Sequence, residues 1–283
     1  MKPLLTKRKQ AWADRRKPEY LRGEPLEHNI QLANRYYIKL QSLIKRMADE
    51  VEIEMRKFYY TPDAEEYFAA DASISSQGRI ITNRLKLKFD SIFNAAARPM
   101  AESFVRSADK SSSAALHSSL KKLSGGLSLK TTSVTGEIGD IVSATVTENV
   151  ALIKTISEQY LSGVQQAVMR SITTGNGMAD LVPFLKKHKE ITERRARMIA
   201  NDQANKAFNN INRARLTKFG LKKYEWLHSP GSKEPRQLHI GYDRKIFRFD
   251  DPPIIDEKTG ERGIPGQAIN CRCRIGVVLD FED

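Results

Sequence analysis

Apolar side chains recur at helical spacing through most of the first 220 residues, and this periodicity constrains the fold more than any other feature. In residues 29–58 they fall every three or four positions, which predicts one face of a long amphipathic helix. Similar runs cover residues 74–104 and 150–172. After Gly220 the period is lost, and short β-type stretches alternate with turns rich in proline and glycine. The sequence therefore predicts an α+β fold, in which a mostly helical body of long amphipathic helices is followed by a small β-rich C-terminal module.

Interruptions of the pattern predict where the helices end. Pro99 predicts a kink or a break in the second run, because proline cannot donate a backbone hydrogen bond. The segment rich in Ser, Thr and Gly that follows is expected to hold only a short helix, at 114–123. A short helix at 178–187 is expected to precede a separate long one, with Thr192 as its N-cap and Gly220 at its C′ position. The strands predicted beyond it lie at 224–227, 245–249 and 274–279.

Four segments follow from this pattern. They are a basic extended arm (1–28), a helical N-terminal domain (29–145), a helical segment leading into the tail (146–220) and a β-rich C-terminal module (221–283). No apolar stretch approaches the roughly 20 residues that span a bilayer, so no membrane partner is expected. The basic start of the sequence lacks the apolar core of a signal peptide, and the two cysteines exclude a disulfide framework, so we expect a reducing cytoplasm.

The net charge of +13 is unevenly distributed. Residues 221–283 hold 11 basic and 11 acidic side chains, whereas residues 1–220 hold 36 basic and 23 acidic ones. Such a charge favours a polyanionic partner, double-stranded DNA above all, although it is also compatible with a basic surface that has no dedicated ligand. The candidate DNA-contacting residues of the arm are Lys7, Arg8, Lys9, Arg15, Arg16 and Lys17.

The basic residues of the last long helix do not share one face, so a single recognition helix is not supported. They are Arg194, Arg195, Arg197, Lys206, Arg213, Arg215 and Lys218. We interpret them as a solvated basic surface that would contact phosphates without reading sequence.

The C-terminal module contains a candidate zinc site made of His228, His239, Cys271 and Cys273. Thiolate and imidazole are the usual zinc ligands, and four of them would close a tetrahedral structural site in a module with a modest core. The one-residue gap between the cysteines is less typical of zinc sites than a two-residue gap. The alternative is two buried thiols beside histidines that make ordinary hydrogen bonds. A disulfide between neighbours so close would be strained.

A second constellation is Arg236, His239 and Arg272, with Asp243 and Arg244 nearby. A histidine beside an acid and an arginine is compatible with acid–base chemistry. However, the module has no nucleophile-type turn and no glycine-rich phosphate loop, so no catalytic residue is assigned. We interpret Arg236, His239 and Arg272 as a structural network that ties loops together.

The C-terminal motifs, taken together, resemble the Mu F-like family of phage minor head proteins, also called head morphogenesis proteins. The segments that carry the resemblance are Lys222–Ser229, Glu234–His239, Lys245–Phe247, Pro252-Pro253, Gly263–Gln267 and Asn270–Arg274. The preceding helix, Arg197–Ala204, is similar to the family's Arg-x-x-Ile-Ala-Arg-Thr-Glu helix. The resemblance covers about residues 145–280. Two departures are Asn201-Asp202-Gln203 in place of Arg-Thr-Glu and Asp243-Arg244 in place of Asp-Gly or Asn-Gly.

The resemblance implies a low-copy structural protein inside the head of a double-stranded DNA phage. It implies assembly in the host cytoplasm beside the portal protein, contact with the major capsid or scaffold protein, and no enzymatic turnover. Structural zinc is a possible addition rather than a requirement. One alternative is a metal-dependent nuclease or hydrolase that uses the His/Cys cluster, and another is a bacterial DNA-binding protein unrelated to phage.

Overall fold

The computed structural model describes residues 20–60, 73–123, 136–230 and 235–280. The helices are α1 (Gln31–Tyr60), α2 (Ile74–Leu123), α3 (Glu137–Thr174), α4 (Met178–Lys218) and α5 (Gln237–Gly241). The strands are β1 (Tyr20–Pro25), β2 (Lys223–Leu227), β3 (Ile246–Arg248), β4 (Ile254–Asp256), β5 (Glu261–Arg262) and β6 (Arg274–Asp280). The predicted α+β class is confirmed, since long helices precede a small antiparallel sheet module.

Helix α1 shows why apolar periodicity predicts the helical body. Leu40, Ile44 and Met47 are completely buried and lie three or four positions apart, so one face of the helix packs inward. Ile38 and Ile53 remain exposed. Full burial of a side chain of this size stabilises a protein by about 1.5–3 kcal/mol. The buried stripe, more than local propensity, therefore holds α1 in its helical form.

Helix α2 is continuous over 50 residues with Pro99 inside it. Of the predicted kink or break near Pro99, the break is therefore wrong, and so is the expectation of only a short helix at 114–123. Ala97 and Ala101, on either side of Pro99, are completely buried, so this stretch of α2 is packed against the rest of the fold despite the proline. Further along, the buried Ser112 hydroxyl donates to Asn212 Oδ1 over 2.8 Å. Because this serine satisfies its hydroxyl within the fold, the Ser-rich segment continues as helix.

Helix α4 is also a single helix, and the prediction that Thr192 begins a new one is wrong. The Thr192 hydroxyl donates to the carbonyl oxygen of His188, one turn earlier, over 2.8 Å. The His188 ring stacks on Tyr160 and on Phe184, with ring centroids 4.8 Å and 4.9 Å apart. This packing holds the helix together across the expected gap.

The end of α4 agrees with the prediction for Gly220. Gly220 has a φ of 79°, a left-handed conformation that favours glycine. The Leu221 N–H donates to Leu216 O over 3.0 Å, and the Gly220 N–H donates to Thr217 O over 2.9 Å. These two bonds define a Schellman ending, which turns the chain from α4 into β2.

The main sheet is antiparallel, with strand order β1-β6-β2-β3. Trp226 lies opposite Ile275 and Tyr224 lies opposite Val277, and all four side chains are buried. Strands β4 and β5 form a separate two-stranded ribbon. The three strands predicted after Gly220 are present, whereas β1, β4 and β5 were not predicted.

The described residues fall into two compact units. The helical unit contains 28–60, 73–111 and 136–208, and the tail unit contains 20–27, 112–123, 209–230 and 235–280. The tail unit thus holds more than the expected module 221–283, because β1 pairs with β6 and the last residues of α2 and α4 cluster with the sheet. Of the expected arm 1–28, residues 20–25 form β1, and residues 1–19 lie outside the described residues.

A chain of hydrogen bonds joins α1, α3 and α4 inside the helical unit. Tyr36 Oη donates to Asn149 Oδ1 over 3.0 Å, and Asn149 Nδ2 donates to Gln203 Oε1 over 2.9 Å. Gln203 Nε2 in turn donates to Glu148 Oε1 over 2.9 Å. Burial raises the pKa of Tyr36, and the Glu148 charge raises it further, so the hydroxyl stays protonated and donates. From Tyr36 to Glu148 the hydrogen bonds thus run in one direction, and Asn149 Nδ2 also donates to Thr145 O over 2.9 Å.

One basic residue of α4, Arg215, is buried instead of solvated as predicted, whereas Arg197 is exposed. Arg215 is 1% exposed, and its Nη1 donates to Ser112 Oγ over 2.6 Å. The Arg197 guanidinium lies 4.0 Å from the centroid of the Tyr37 ring, a cation–π arrangement. Within the described parts of the chain, no helix is both long enough and apolar enough to cross a membrane.

Candidate metal centre

Two histidines and two cysteines of the tail unit meet where β2 ends and β6 begins. These strands are antiparallel neighbours, with Leu227 opposite Arg274. The next residues outward, His228 and Cys273, therefore lie at the same end of the strand pair. Helix α5 supplies His239, so three separate segments contribute to one cluster.

The distances within the cluster are short. His239 Nδ1 lies 3.5 Å from Cys271 Sγ and 3.8 Å from Cys273 Sγ. The ligand atoms of these three residues all lie within 4.8 Å of one another. His228 Nδ1 lies 3.7 Å from Cys273 Sγ, on the outer side of the cluster. The structure thus brings together all four of the residues considered as zinc ligands, three of them tightly.

The cluster is buried and oriented by its surroundings. His239 is 3% exposed and the two cysteines are each 4% exposed, so bulk solvent barely reaches these groups. His239 Nε2 lies 3.0 Å from Ile255 O, in β4. The Trp226 and His239 rings pack in a T-shaped arrangement, with centroids 5.1 Å apart. The imidazole is therefore held on one side by a carbonyl and on another by an indole.

The turn after α5 positions His228. The backbone N–H of His228 donates to Asp243 Oδ1 over 2.8 Å. Arg244, which stands where the family often has glycine, has a φ of 63°. The left-handed turn is therefore kept without glycine, at the cost that this conformation carries for a residue with a Cβ. Neither Asp243 nor Ile255 had been predicted as a supporting residue, since both act through contacts far apart in sequence.

The two thiols influence each other strongly. The hydrogen bond with Cys273 lowers the pKa of Cys271 to about 4, and the hydrogen bond with His239 lowers it further. The same hydrogen bond with Cys271 raises the pKa of Cys273, and burial raises it too. One thiol thus ionises readily and the second resists, because a second negative charge would be buried beside the first.

The other candidate residues are placed as follows. Arg236 Nη2 donates to Ile269 O over 3.1 Å, which ties the start of α5 to the loop before Cys271. His239 ties the same helix to β4 through Ile255. Arg272 is exposed between the two buried cysteines. The six arm residues considered for DNA contact, Lys7, Arg8, Lys9, Arg15, Arg16 and Lys17, lie outside the described residues.

Soft thiolates combined with imidazole suit zinc more than hard-ligand metals such as magnesium or calcium. Among the described residues, the cluster that could hold a metal contains no carboxylate. It also lies below the surface. The arrangement is suited to holding loops together.

The part of the chain that contains the His/Cys cluster is similar to a known protein family. Residues 162–276 match the family model described as "Phage Mu protein F like protein". Over these residues the chain is similar to Mu F-like proteins, and we call residues 162–276 the Mu F-like region. It lies within the residues that carry the resemblance in the sequence, and that resemblance is thereby confirmed. The Mu F-like region contains all four cluster residues, together with the whole of α4 and the strands β2 to β5.

A relative extends the similarity beyond the Mu F-like region. An uncharacterized protein of Haemophilus influenzae (strain ATCC 51907 / DSM 11121 / KW20 / Rd) is 30% identical over 251 residues, which cover 88% of this chain. The chain spans 53% of that relative's length. No solved structure matches the chain.

Proposed function

We propose that this protein is a minor head protein of a double-stranded DNA phage, a low-copy structural component that assembles near the portal and lies inside the DNA-filled head. The observation that carries the proposal is the family match over residues 162–276, whose C-terminal part contains the motifs around the His/Cys cluster. A Mu F-like region indicates a phage head morphogenesis protein. Copy number, position and partners are the parts that we infer.

The charge distribution supports a role beside packaged DNA. The excess of basic over acidic side chains lies entirely in residues 1–220, whereas residues 221–283 are balanced. A basic body would neutralise phosphates and release counterions without reading the base sequence. A balanced module is better suited to contacts with another protein, for which we propose the portal protein, the major capsid protein or the scaffold protein.

We further propose that the protein acts without turnover. A nuclease built on the His/Cys cluster would have to admit a phosphodiester to the metal. The three central ligand side chains are at most 4% exposed, so a substrate of that size has no access to them in this conformation. Burial and the ligand types support a structural role instead.

The direct test is composition of the phage head. Heads are purified from cells producing the phage that encodes this chain, treated with nuclease and quantified by mass spectrometry against the major capsid and portal proteins. We expect a few copies per head, protected from external protease, and an assembly defect when the gene is deleted. Heads that lack the protein and assemble normally without it would contradict the proposal.

DNA binding is tested separately, by the salt dependence of affinity for unrelated duplexes. Substitution of Lys7, Arg8 and Lys9 by glutamine should flatten the slope of log K against log salt by up to about 2.7, equally for every duplex. The matched control removes the same charge from the balanced segment, through Lys222, Lys245 and Lys258, and should change the slope little. A strong preference for one sequence at physiological salt would contradict non-specific binding, as would equal effects of the two variants.

A further inference from the structure

The His/Cys cluster has the dimensions of a zinc coordination sphere. With Zn–S of about 2.3 Å, Zn–N of about 2.05 Å and tetrahedral angles, a sulfur and a nitrogen ligand lie about 3.6 Å apart. His239 Nδ1 lies 3.5 Å from Cys271 Sγ and 3.8 Å from Cys273 Sγ, and His228 Nδ1 lies 3.7 Å from Cys273 Sγ. We propose that His239, Cys271 and Cys273, with His228 as the fourth ligand, bind one structural zinc ion. This inference does not depend on the role in the phage head.

The protonation of His239 supports coordination through Nδ1. A carbonyl oxygen only accepts hydrogen bonds, so the 3.0 Å contact with Ile255 O requires a proton on His239 Nε2. In the neutral ring this leaves the lone pair on Nδ1, which faces both sulfurs. Metal-ligating histidines commonly donate their other N–H to a backbone carbonyl, which fixes the tautomer and the ring orientation. The Ile255 carbonyl provides that second contact here.

Charge balance is compatible with a zinc ion at this depth. Two thiolates cannot both be buried without a counter-charge. A divalent ion bound by two thiolates and two neutral imidazoles forms a neutral complex, which can be buried at the observed 3–4% exposure of the three inner residues. The alternative arrangement, thiols hydrogen-bonded to imidazole, uses the same atoms but relies on weak S–H donors.

His228 would close the site. His228 Nδ1 lies 3.7 Å from Cys273 Sγ. His228 is half-buried, whereas the other three residues are buried, so it lies on the solvent side of the cluster. The Asp243 carboxylate holds the His228 backbone over 2.8 Å. With a fourth protein ligand no position stays open for water or substrate, which makes the site structural rather than catalytic.

The metal would link segments that the sheet alone does not join. It would hold the end of β2 and the start of β6 to α5, and through Ile255 it would stabilise the orientation of β4. Zinc binding energy would then be folding energy of the tail unit, since no preformed site exists in the unfolded chain.

The test begins with the full-length protein, purified without chelators and analysed by mass spectrometry for metals. We expect about one zinc per chain. Replacement by Co²⁺ should give the visible d–d bands of tetrahedral cobalt and a thiolate-to-cobalt charge-transfer band, and X-ray absorption at the zinc edge should show two sulfur and two nitrogen ligands. These spectra need no variant, so they stay informative if a cysteine variant fails to fold.

The variants then assign the ligands. The double variant Cys271→Ser/Cys273→Ser should lose its zinc, and His228→Gln should weaken zinc binding and shift the cobalt spectrum. His28→Gln, in the helical unit, is the matched control and should keep full occupancy. Purified protein without stoichiometric zinc, with a melting temperature indifferent to chelator, would overturn the proposal. Zinc retained by a folded double cysteine variant, or an octahedral cobalt spectrum, would also overturn it.

Discussion

Gln203→Glu should destabilise the helical unit in a manner that depends on pH. Gln203 is 2% exposed and its Nε2 donates to Glu148 Oε1 over 2.9 Å. The substitution replaces that donor by a carboxylate oxygen, so two negative charges face each other at hydrogen-bond distance. The family motif often has glutamate here, and the substitution therefore also tests why this chain has glutamine.

The size of the effect follows from two limits. Two like charges about 4 Å apart repel by about 4 kcal/mol at the effective dielectric of a protein. The new carboxyl can avoid this by keeping its proton, which costs about 1.36 kcal/mol for each pH unit above its ordinary pKa of about 4.3, or about 3.7 kcal/mol at pH 7. Glu148 is an exposed residue and can turn toward water, which lowers both limits. We therefore expect a loss of about 2–3 kcal/mol at pH 7.

The stability of the variant should change with pH in one direction. The folded state raises the pKa of the new carboxyl above its unfolded value, so the folded variant holds a proton that the unfolded chain releases. Its stability relative to wild type therefore falls as pH rises between the unfolded and the folded pKa. At pH 5 the loss of stability should shrink to about 1 kcal/mol or less. This pH lies only about 0.7 units above the ordinary pKa of glutamate, so keeping the proton costs little.

Urea denaturation followed by far-ultraviolet circular dichroism, at pH 7 and at pH 5, measures both values. Gln166→Glu, at an exposed position of α3, is the matched control and should stay within about 0.5 kcal/mol of wild type at both pH values. A loss at position 203 that is equal at the two pH values would refute the electrostatic reasoning, as would a loss below about 1 kcal/mol at pH 7.

Further predictions concern packing and the sheet. Gly163→Ala should destabilise the helical unit by about 1–3 kcal/mol, because an added Cβ would lie 2.6 Å from His188 Nε2, whose ring is held by stacking. Gly139→Ala, in the same helix but facing open space, should instead stabilise it by about 0.5 kcal/mol, both read from thermal or urea unfolding. Arg22→Ala should destabilise the tail unit by about 1–2 kcal/mol, because the Arg22 Nε–Glu225 Oε1 pair of 3.1 Å is lost and the Glu225 side chain is only 3% exposed. That loss is measured by fluorescence of Trp226 in a Trp12→Phe background, and an unchanged midpoint would contradict it.

The sequence was informative where one physical effect dominates. The apolar period of α1 and the loss of that period after Gly220 each extend over many residues, so local patterns predict them. The helix boundaries at Pro99 and Thr192 were mispredicted because they depend on tertiary contacts. In a helix interior a threonine costs at most about 0.7 kcal/mol and a proline about 3 kcal/mol, whereas each large apolar side chain that is buried contributes about 1.5–3 kcal/mol.

For the candidate site, the ligand residues could be predicted from their side-chain types. Their proximity could not, because it depends on strand pairing. His228 and Cys273 become neighbours because Leu227 lies opposite Arg274, a register that no local pattern encodes. The supporting contact of Ile255 O with His239 uses a backbone carbonyl, which carries no residue-type signal. Strand β1 was missed for a similar reason, because its six residues become a strand only through pairing with β6.

The pairing of β1 with β6 dictates an order of events during synthesis. Tyr20 lies opposite Asp280, so β1 is synthesised early and cannot pair until the ribosome has added about 260 further residues. At about 5–20 residues per second that wait lasts on the order of 13–52 s. Most residues of the helical unit have emerged long before, so it can fold first, while the sheet of the tail unit closes last. Until then the waiting segment is exposed to edge pairing with other nascent chains, and its charged residues Arg22 and Glu24 oppose that pairing.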